Sequence, residues 1–259
     1  MATILFDEIV FGPVHSRRMG TSLGMNLLPY DGKLCSFDCI YCECGLNKDF
    51  RTQTQLPDRV STRAALEDRF KLLLKEKVDL DVITFAGNGE PTIHPEFEGI
   101  IDDTIALRDV YYPRTEISVL SNGMHLHKTE VFNALKRVEN PILKLDSAFD
   151  ETVRLINRPN SPDYSVARQV ELYKRFGNNY ILQTLFLRGT FEGKRVDNAT
   201  EKEVSAWLEL VRALNPREVM IYTFARETPV KGLEKVPYDE LQKIAERVEQ
   251  LGIKTNVAG

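Results

Sequence analysis

The chain has 259 residues, enough for one or two domains, and an α/β barrel of about 250 residues would use nearly all of them. Its apolar and charged fractions, 42% and 28%, are those of a globular protein, and no apolar run approaches the roughly 20 residues of a membrane span. The net charge of −4 gives no overall attraction to nucleic acid, although a local basic patch stays open. Because the N-terminus lacks the features of a signal peptide, we expect a cytoplasmic protein with reduced thiols and no membrane partner.

The first residues combine a short apolar stretch with a basic cluster. Residues 3–11 predict an edge strand or cap, and Gly12-Pro13 predicts a turn. The basic cluster at 15–18 fits either capping salt bridges or anion binding. The first convincing strand is 22–28, and we expect residues 1–20 to form an N-terminal extension across one rim of the fold.

A cysteine-rich loop follows, with Cys35, Cys39 and Cys42 in a C-x3-C-x2-C array. Thiolates this close together are soft metal ligands. A four-cysteine zinc site needs a second pair of cysteines, which the sequence lacks, whereas an iron–sulfur cluster takes its thiolates from one wrapping loop. Three ligands leave one iron of a cubane open. Cys44 is either a bystander or a fourth ligand, and the second alternative describes a non-catalytic electron carrier.

With Tyr41 just before its last cysteine, this loop resembles the signature of radical S-adenosylmethionine (radical SAM) enzymes. The resemblance implies a [4Fe-4S] cluster whose open iron binds SAM, with Tyr41 among the cofactor contacts. It also implies a one-electron reductant such as flavodoxin or ferredoxin, reductive cleavage of SAM, and a 5′-deoxyadenosyl radical that abstracts hydrogen from a substrate. Residues 11–29 are similar to Fe–S oxidoreductases related to the tRNA wyosine-synthesis enzymes, so tRNA modification and glycyl-radical activation are both allowed.

Beyond the loop, hydrophobic periodicity predicts strands that alternate with helices. The six predicted strands are 22–28, 81–86, 116–120, 141–147, 180–187 and 218–224. The predicted helices are 61–77, one from about 94, 127–138, 164–176, 201–213 and 238–251. Such alternation implies parallel pairing with right-handed crossovers. With the resemblance, six units imply an α/β fold, an open (β/α)6 partial TIM-type barrel with a parallel sheet, in a single domain over 1–259.

A Gly-rich turn ends the second predicted strand and lets a ligand approach the backbone, although a plain turn between strand and helix has the same pattern. Its sequence, GNGEP, resembles the GGEP segment that binds the SAM amino group in the family. The resemblance implies cofactor contacts at Gly87, Asn88, Gly89 and Glu90. Asn88 departs from the family glycine, and we expect it to fit by adopting a positive φ.

Polar residues at the ends of the next two strands complete the predicted cofactor contacts. The family places contacts to SAM at the strand end that corresponds to Ser121 and Asn122, where an Asn-Gly turn is the simpler alternative. Lys144 and Asp146 alternate on the fourth strand and predict a polar barrel interior. By resemblance, Asp146 is a ribose contact and Lys144 its charge partner, and a structural ion pair is the alternative.

Three bulky loops lie at the predicted carboxyl ends of the strands, where ligands bind in parallel β/α folds. They are 157–159, 188–198 and 225–237. Their basic residues could line an anion-binding mouth, but interleaved acids make ordinary solvated loops the alternative. The basic residues are Arg158, Arg188, Lys194, Arg195, Arg226 and Lys231.

Overall fold

A curled sheet of eight strands frames the protein in a computed structural model, which describes residues 4–16, 19–49 and 55–259. The described residues form eleven strands, eight in this sheet and three in a second, smaller one. They are β1 (Val10–Ser16), β2 (Gly20–Met25), β3 (Val82–Phe85), β4 (Glu116–Ser121), β5 (Asn140–Lys144), β6 (Ile181–Leu185), β7 (Leu187–Phe191), β8 (Lys194–Asp197), β9 (Glu218–Tyr222), β10 (Leu233–Lys235) and β11 (Lys254–Ala258). The large sheet has the order β1-β2-β3-β4-β5-β6-β9-β11. Its strands from β2 to β11 are parallel, and β1 is antiparallel to β2.

Seven α-helices pack against this sheet in the described ranges. They are α1 (Arg59–Lys75), α2 (Phe97–Tyr111), α3 (Thr129–Arg137), α4 (Asp150–Ile156), α5 (Val166–Lys174), α6 (Glu201–Leu214) and α7 (Tyr238–Glu249). Short polar side chains fix three of the helix starts. Asp58, Ser165 and Thr200 each accept a hydrogen bond from a backbone N–H in the first turn of α1, α5 and α6. These caps satisfy donors that a helix start otherwise leaves unpaired. None of the described helices is long and apolar enough to cross a membrane.

The two faces of the sheet differ in character. Most buried apolar residues form one continuous core that includes strand and helix side chains, such as Ile117 on β4 and Phe70 on α1. A second, small cluster holds Ile142, Ile181 and Met220, which come from the neighbouring strands β5, β6 and β9. Because side chains alternate between the faces of a strand, Lys144 and Gln183 lie on the same face as this small cluster. That face therefore carries both an apolar layer and a polar one.

The predicted fold class is confirmed, since all six predicted strands are present in a mostly parallel, partial-barrel sheet. The N-terminal prediction is wrong in its bounds, because the edge strand is Val10–Ser16 rather than 3–11. Gly12 and Pro13 lie inside that strand, at an irregularity in its pairing, and not at a turn between elements. Arg17 and Arg18 of the basic cluster lie outside the described residues. Pairing with β9 makes the polar segment Lys254–Ala258 a seventh parallel strand, which its sequence pattern did not predict.

A second sheet occupies two of the predicted loops. Strands β7 and β8 form a hairpin, and β10 pairs with β7 in an antiparallel arrangement. Glu192 and Gly193 link the hairpin strands, and both have positive φ, 50° and 73°. A two-residue turn with two positive φ angles matches the twist of antiparallel strands. The loop prediction for 188–198 is therefore wrong, and the Glu-Gly pair between Phe191 and Lys194 was the available sequence signal.

Candidate functional site

A cavity of about 570 Å3 lies at the carboxyl ends of the parallel strands. This volume is within the range of roughly 300–1,000 Å3 that is typical of small-molecule sites. Its wall includes the four cysteines and Tyr41, three residues of the Gly-rich turn (Gly87, Gly89 and Glu90), and polar side chains from four strands or strand ends: Ser121, Asn122, Lys144, Gln183 and Tyr222. The structure thus brings nearly all predicted site residues into one chamber.

The cysteine loop is held by backbone hydrogen bonds on both of its sides. Leu34 forms a parallel bridge with Gly89, in which Leu34 N–H donates to the Asn88 carbonyl (2.9 Å) and Glu90 N–H donates to the Leu34 carbonyl (3.0 Å). On the other side, Ile40 N–H donates to the Ile156 carbonyl at the end of α4 (2.9 Å). The sheet and α4 therefore position the thiols, although the loop itself has no regular secondary structure.

Polar groups surround the three motif thiols. The Cys35 sulfur accepts from the Phe37 N–H (3.4 Å) and from the Asn122 amide (3.6 Å), and the Cys39 sulfur accepts from the Asn157 amide (3.4 Å). Burial raises the pKa of Cys35 and of Cys39. Hydrogen bonding with Cys44 lowers the pKa of Cys42. Sulfur atoms that accept hydrogen bonds are stabilised as thiolates, the form that binds metal.

Lys33 adds a positive charge next to the thiols. Its side chain is 1% exposed, and its ammonium lies 3.4 Å from the Asp38 carboxylate. Burial alone would lower the pKa of Lys33, but the Cys42, Cys39 and Cys35 thiols raise it above its ordinary value. The ammonium is therefore charged, and it offsets part of the negative charge that thiolates bring to this wall. Sequence reasoning missed Lys33, because nothing in its spacing separates it from a surface lysine.

The spacing of the acids, histidines and cysteines bears on the kind of metal site. Among the described residues, no three such side chains converge on a point where one metal ion would bind. A zinc site gathers all its ligands around one ion. In a cubane cluster, by contrast, each thiolate binds a different iron, so the sulfur atoms lie further apart. Three thiols of one loop on one cavity wall therefore fit the donor set of an iron–sulfur cluster better than that of zinc.

The Gly-rich turn makes internal contacts that its sequence did not predict, and its contact with SAM stays a prediction. Asn88 does not adopt a positive φ. Its fully buried side chain accepts from Phe6 N–H (2.8 Å) and donates to the carbonyls of Phe6 and Pro29 (2.8 and 2.7 Å), which ties the N-terminal segment to the site. Gly89 has a φ of +144°, and a Cβ there would lie 1.9 Å from the Leu34 carbonyl oxygen. Glycine at 89 is thus required by the neighbouring cysteine loop, whatever ligand approaches the turn.

This contact predicts that Gly89→Ala damages the cysteine loop directly. The new Cβ would collide with the backbone of Leu34, so we expect the variant to unfold at a lower temperature and to assemble less cluster than the parent. Gly177→Ala is a matched control, because Gly177 also has a positive φ (62°) but has open space around it. Left-handed backbone strain alone should cost roughly 1–2 kcal/mol in Gly177→Ala, and Gly89→Ala should lose more, because a φ of +144° suits only glycine and the clash adds to this strain. Melting temperature and bound iron are the measurements, and equal losses in the two variants would contradict the clash.

Glu90 is a buried carboxylate without a positively charged partner in the described part of the chain. It accepts from Thr92 N–H and Oγ (3.2 and 2.5 Å), from Ser121 Oγ (2.8 Å) and from Asn122 N–H (2.7 Å). All of these donors are neutral. Burial raises the pKa of Glu90, although the hydrogen bonds act in the opposite direction. A cationic ligand at this wall would therefore find an acceptor that is fixed in place and lacks a counter-ion.

Asp146 lies behind the wall of the chamber and not on its surface. Its side chain is 0% exposed. The carboxylate accepts from the Tyr41 hydroxyl (2.5 Å), the Asn157 amide (2.6 Å) and the Leu185 N–H (2.8 Å), and the Lys144 ammonium lies 3.4 Å away. Tyr41 and Asn157 also lie within 3.1 Å of each other. The ribose contact predicted for Asp146 stays a prediction, whereas the ion pair with Lys144 is present.

Asn157 joins this network to the thiols and was expected only as a loop residue. It contacts Cys39 across 118 positions of the chain, so no local pattern could have indicated it.

Lys144 faces the chamber, unlike its partner Asp146. Burial alone would lower its pKa, but Asp146 and Tyr222 raise it overall.

Most of the basic side chains predicted at the mouth are paired with acids. Arg188 contacts Glu240 (2.5 Å) and Asp197, and Arg226 contacts Glu43 (2.9 Å). Arg195 also contacts Asp197, and Arg158 lies 3.9 Å from Asp38. Of the six, Arg226 alone lines the chamber within the described ranges. The pairing supports surface ion pairs over an anion-binding mouth.

Comparison with known proteins gives a consistent result. The family model described as the radical SAM superfamily matches residues 31–201. A UPF0026 protein of Methanocaldococcus jannaschii is 30% identical over 243 residues, which are 91% of this chain and 70% of that protein. A GTPase Obg of Brachyspira hyodysenteriae is 30% identical over 237 residues, and this chain spans only 32% of its length.

Solved structures of radical SAM proteins share the fold, and two of them serve as examples. A radical SAM methyltransferase from Sphaerobacter thermophilus has a TM-score of 0.67 and 14% identity, over 92% of this chain and 65% of that chain. TYW1 with a lysine-pyruvate adduct bound has a TM-score of 0.60 and 15% identity, over 90% of this chain and 74% of that chain. At these identities the likeness concerns the fold alone.

Proposed function

The chain belongs to the radical SAM superfamily, and from that premise we propose that it is an enzyme that binds a [4Fe-4S] cluster and SAM in the chamber and uses them to abstract hydrogen from a substrate. One observation carries the proposal. Three thiols of one loop and a buried carboxylate without a counter-ion share the wall of a single cavity. An electron carrier would need neither that carboxylate nor a cavity of ligand size. We also propose that the 259 residues act as one domain, because one apolar core includes residues from Val10 to Ile253.

In this proposal Cys35, Cys39 and Cys42 hold the cluster and Cys44 does not. The Cys44 thiol donates to the Gly87 carbonyl (3.8 Å), so it has a partner other than a metal. Lys33 stabilises the thiolates by its charge. Asn122 and Asn157 orient the Cys35 and Cys39 sulfurs through their amide N–H groups.

The SAM contacts are proposed on the wall next to the thiols. Glu90 binds the ammonium of SAM as a hydrogen-bond acceptor, and Ser121 and Asn122 hold Glu90 in place. Gly87 and Gly89 line the chamber on this wall, where the ligand would approach their backbone. Tyr41 lines the chamber as a cofactor contact, and Asp146 supports it from behind, with a ribose contact at Asp146 proposed from the resemblance.

When bound, the cluster supplies the electron that cleaves SAM to methionine and a 5′-deoxyadenosyl radical. The residues of this chain contribute position and shielding. The apolar layer Ile142, Ile181 and Met220 lies next to the chamber and limits the access of water from the opposite end of the sheet. A one-electron reductant such as flavodoxin or ferredoxin is required. Transfer RNA stays one candidate substrate, although the ion pairs at the mouth weigh against it.

The test is anaerobic reconstitution with iron and sulfide, followed by incubation with SAM and dithionite. We expect the EPR signal of the reduced cluster to change on addition of SAM, and 5′-deoxyadenosine to form over time. A reconstituted cluster that neither responds to SAM nor yields 5′-deoxyadenosine would refute the proposed function and favour an electron carrier. The parent protein without dithionite is the control for cleavage that does not depend on reduction.

A further inference from the structure

The floor of the chamber is built from inward side chains of three neighbouring strands. Lys144 on β5, Gln183 on β6 and Tyr222 on β9 line the cavity. Lys144 and Gln183 are register partners, so their side chains stand next to each other on one face of the sheet. The residues two positions earlier on each strand form the separate apolar cluster of Ile142, Ile181 and Met220. This layer closes the chamber below the three polar side chains.

The Lys144 ammonium at this floor has one N–H donor more than its protein partners use. Its ammonium lies 3.4 Å from both Asp146 oxygens and 3.2 Å from the Tyr222 hydroxyl. Asp146 already accepts three shorter hydrogen bonds from neutral groups, so Lys144 is the loosest of its partners. An ammonium carries three N–H donors. With one directed to Asp146 and one to Tyr222, a third remains for a ligand in the chamber.

Gln183 is the second unusual group. It is 5% exposed and lines the chamber, yet its side-chain amide makes no hydrogen bond to any residue that the structure describes. Its amide atoms are not among the fully buried side-chain atoms that lack a partner, so they face the open space of the chamber. A ligand that accepts a hydrogen bond would satisfy the amide where the protein does not.

We propose that Lys144 and Gln183 bind a carboxylate group of the substrate, which makes the substrate a small organic acid. Two donors on adjacent strands, roughly 5 Å apart at their backbones, match the two oxygens of one carboxylate. One ammonium balances one negative charge. A phosphate carries more charge and is usually met by arginines or by several backbone N–H groups, and Lys144 and Gln183 provide neither.

This inference rests on the proposed function, because it places the reacting C–H bond between the floor and the cysteine loop. The carboxylate end is held at Lys144 and Gln183, while the rest of the acid extends toward the thiols. The polar floor thereby selects both the class of substrate and its orientation.

The experiment is calorimetric titration of the reconstituted, SAM-bound protein with acetate, lactate, pyruvate and succinate, each compared with its primary amide and with inorganic phosphate. We expect at least one acid to bind at least about tenfold more tightly than its amide. Gln183→Met should weaken that acid by about tenfold, since one hydrogen bond to a charged group is lost. Lys144→Met should abolish its binding. Gln242→Met makes the same chemical change on α7, outside the chamber, and should have no effect.

Gln183→Met keeps the test decisive even if Lys144→Met disturbs the Asp146 network, because the Gln183 amide has no partner to lose among the described residues. The inference is overturned if no acid binds, if amides bind as tightly as acids, if phosphate is preferred, or if Gln183→Met leaves the affinity unchanged. The EPR response of the parent protein to SAM is recorded first. Loss of that response counts against the proposed function, whereas a normal response with no selection for acids counts only against the carboxylate site.

Discussion

Replacing Cys35, Cys39 or Cys42 by Ala is expected to abolish the cluster, and replacing Cys44 by Ala is expected to leave it assembled. Each motif thiolate binds a different iron in the proposed site, so no other thiolate can take over its position. The Cys44 thiol instead donates to the Gly87 carbonyl. Iron and sulfide content after anaerobic reconstitution, together with the EPR spectrum of the reduced protein, measure the effect.

Cys44→Ala is the matched control for this series, because it removes a thiol from the same cavity wall. Retention of a SAM-responsive cluster in Cys39→Ala would rule out the assignment of the three ligands. If Cys44→Ala alone loses the cluster, four cysteines close the site and the electron-carrier alternative replaces the enzyme.

The strands and thiols could be predicted from sequence because their signals are local. Buried parallel strands such as Val82–Phe85 are continuous apolar runs between polar segments, and the three cysteines lie within eight positions of each other. Local patterns also identified the turn at Gly89 and predicted a ligand contact there, but they did not indicate the second requirement for glycine. The glycine is required by a contact with Leu34, which lies 55 positions earlier and whose backbone position only the folded structure reveals.

The parts that sequence could not supply depend on contacts between distant segments. Asn157 reaches Cys39, Lys144 reaches Tyr222, and Leu185 N–H reaches Asp146, each across a large separation in the chain. The basic residues of the loops show the same limitation. Their composition was compatible with an anion site. Only the folded structure shows that Arg188 forms an ion pair with Glu240 and that Arg226 forms one with Glu43. The partners are invisible to any local pattern.

Glu90→Gln is expected to weaken SAM binding by about 100-fold, because the amide cannot provide the negative charge that the ligand ammonium needs. The side chains have nearly the same shape. The side-chain amide nitrogen of Gln would replace one of the two carboxylate oxygens. It would then face a hydrogen-bond donor, either Asn122 N–H or the groups of Thr92 and Ser121, so the variant should also lose some stability. Calorimetric titration of the reconstituted variant with SAM measures the affinity.

Glu203→Gln separates the two effects. Glu203 is also a buried carboxylate that accepts from two hydroxyls, those of Ser147 and Thr152, but it lies on α6 and does not line the chamber. We expect this control to lose stability and to bind SAM like the parent. Equal loss of SAM affinity in both variants would show that Glu90 acts through folding and not through contact with the ligand.

The pH dependence gives an independent check on the charge of Glu90. Burial raises its pKa above the ordinary value of 4.5, so between the two values the folded protein holds a proton that the unfolded chain releases. The contribution of Glu90 to the free energy of unfolding therefore falls as pH rises through this interval, opposite to that of a carboxylate in an ion pair. A bound ammonium favours the charged form, so stabilisation by SAM should grow as pH rises through the same interval. In the parent protein, we expect the rise in melting temperature on addition of SAM to be larger above the pKa of Glu90 than below it. In Glu90→Gln, we expect this rise to be independent of pH over the same interval. The same pH dependence in Glu90→Gln and the parent would assign it to a different group.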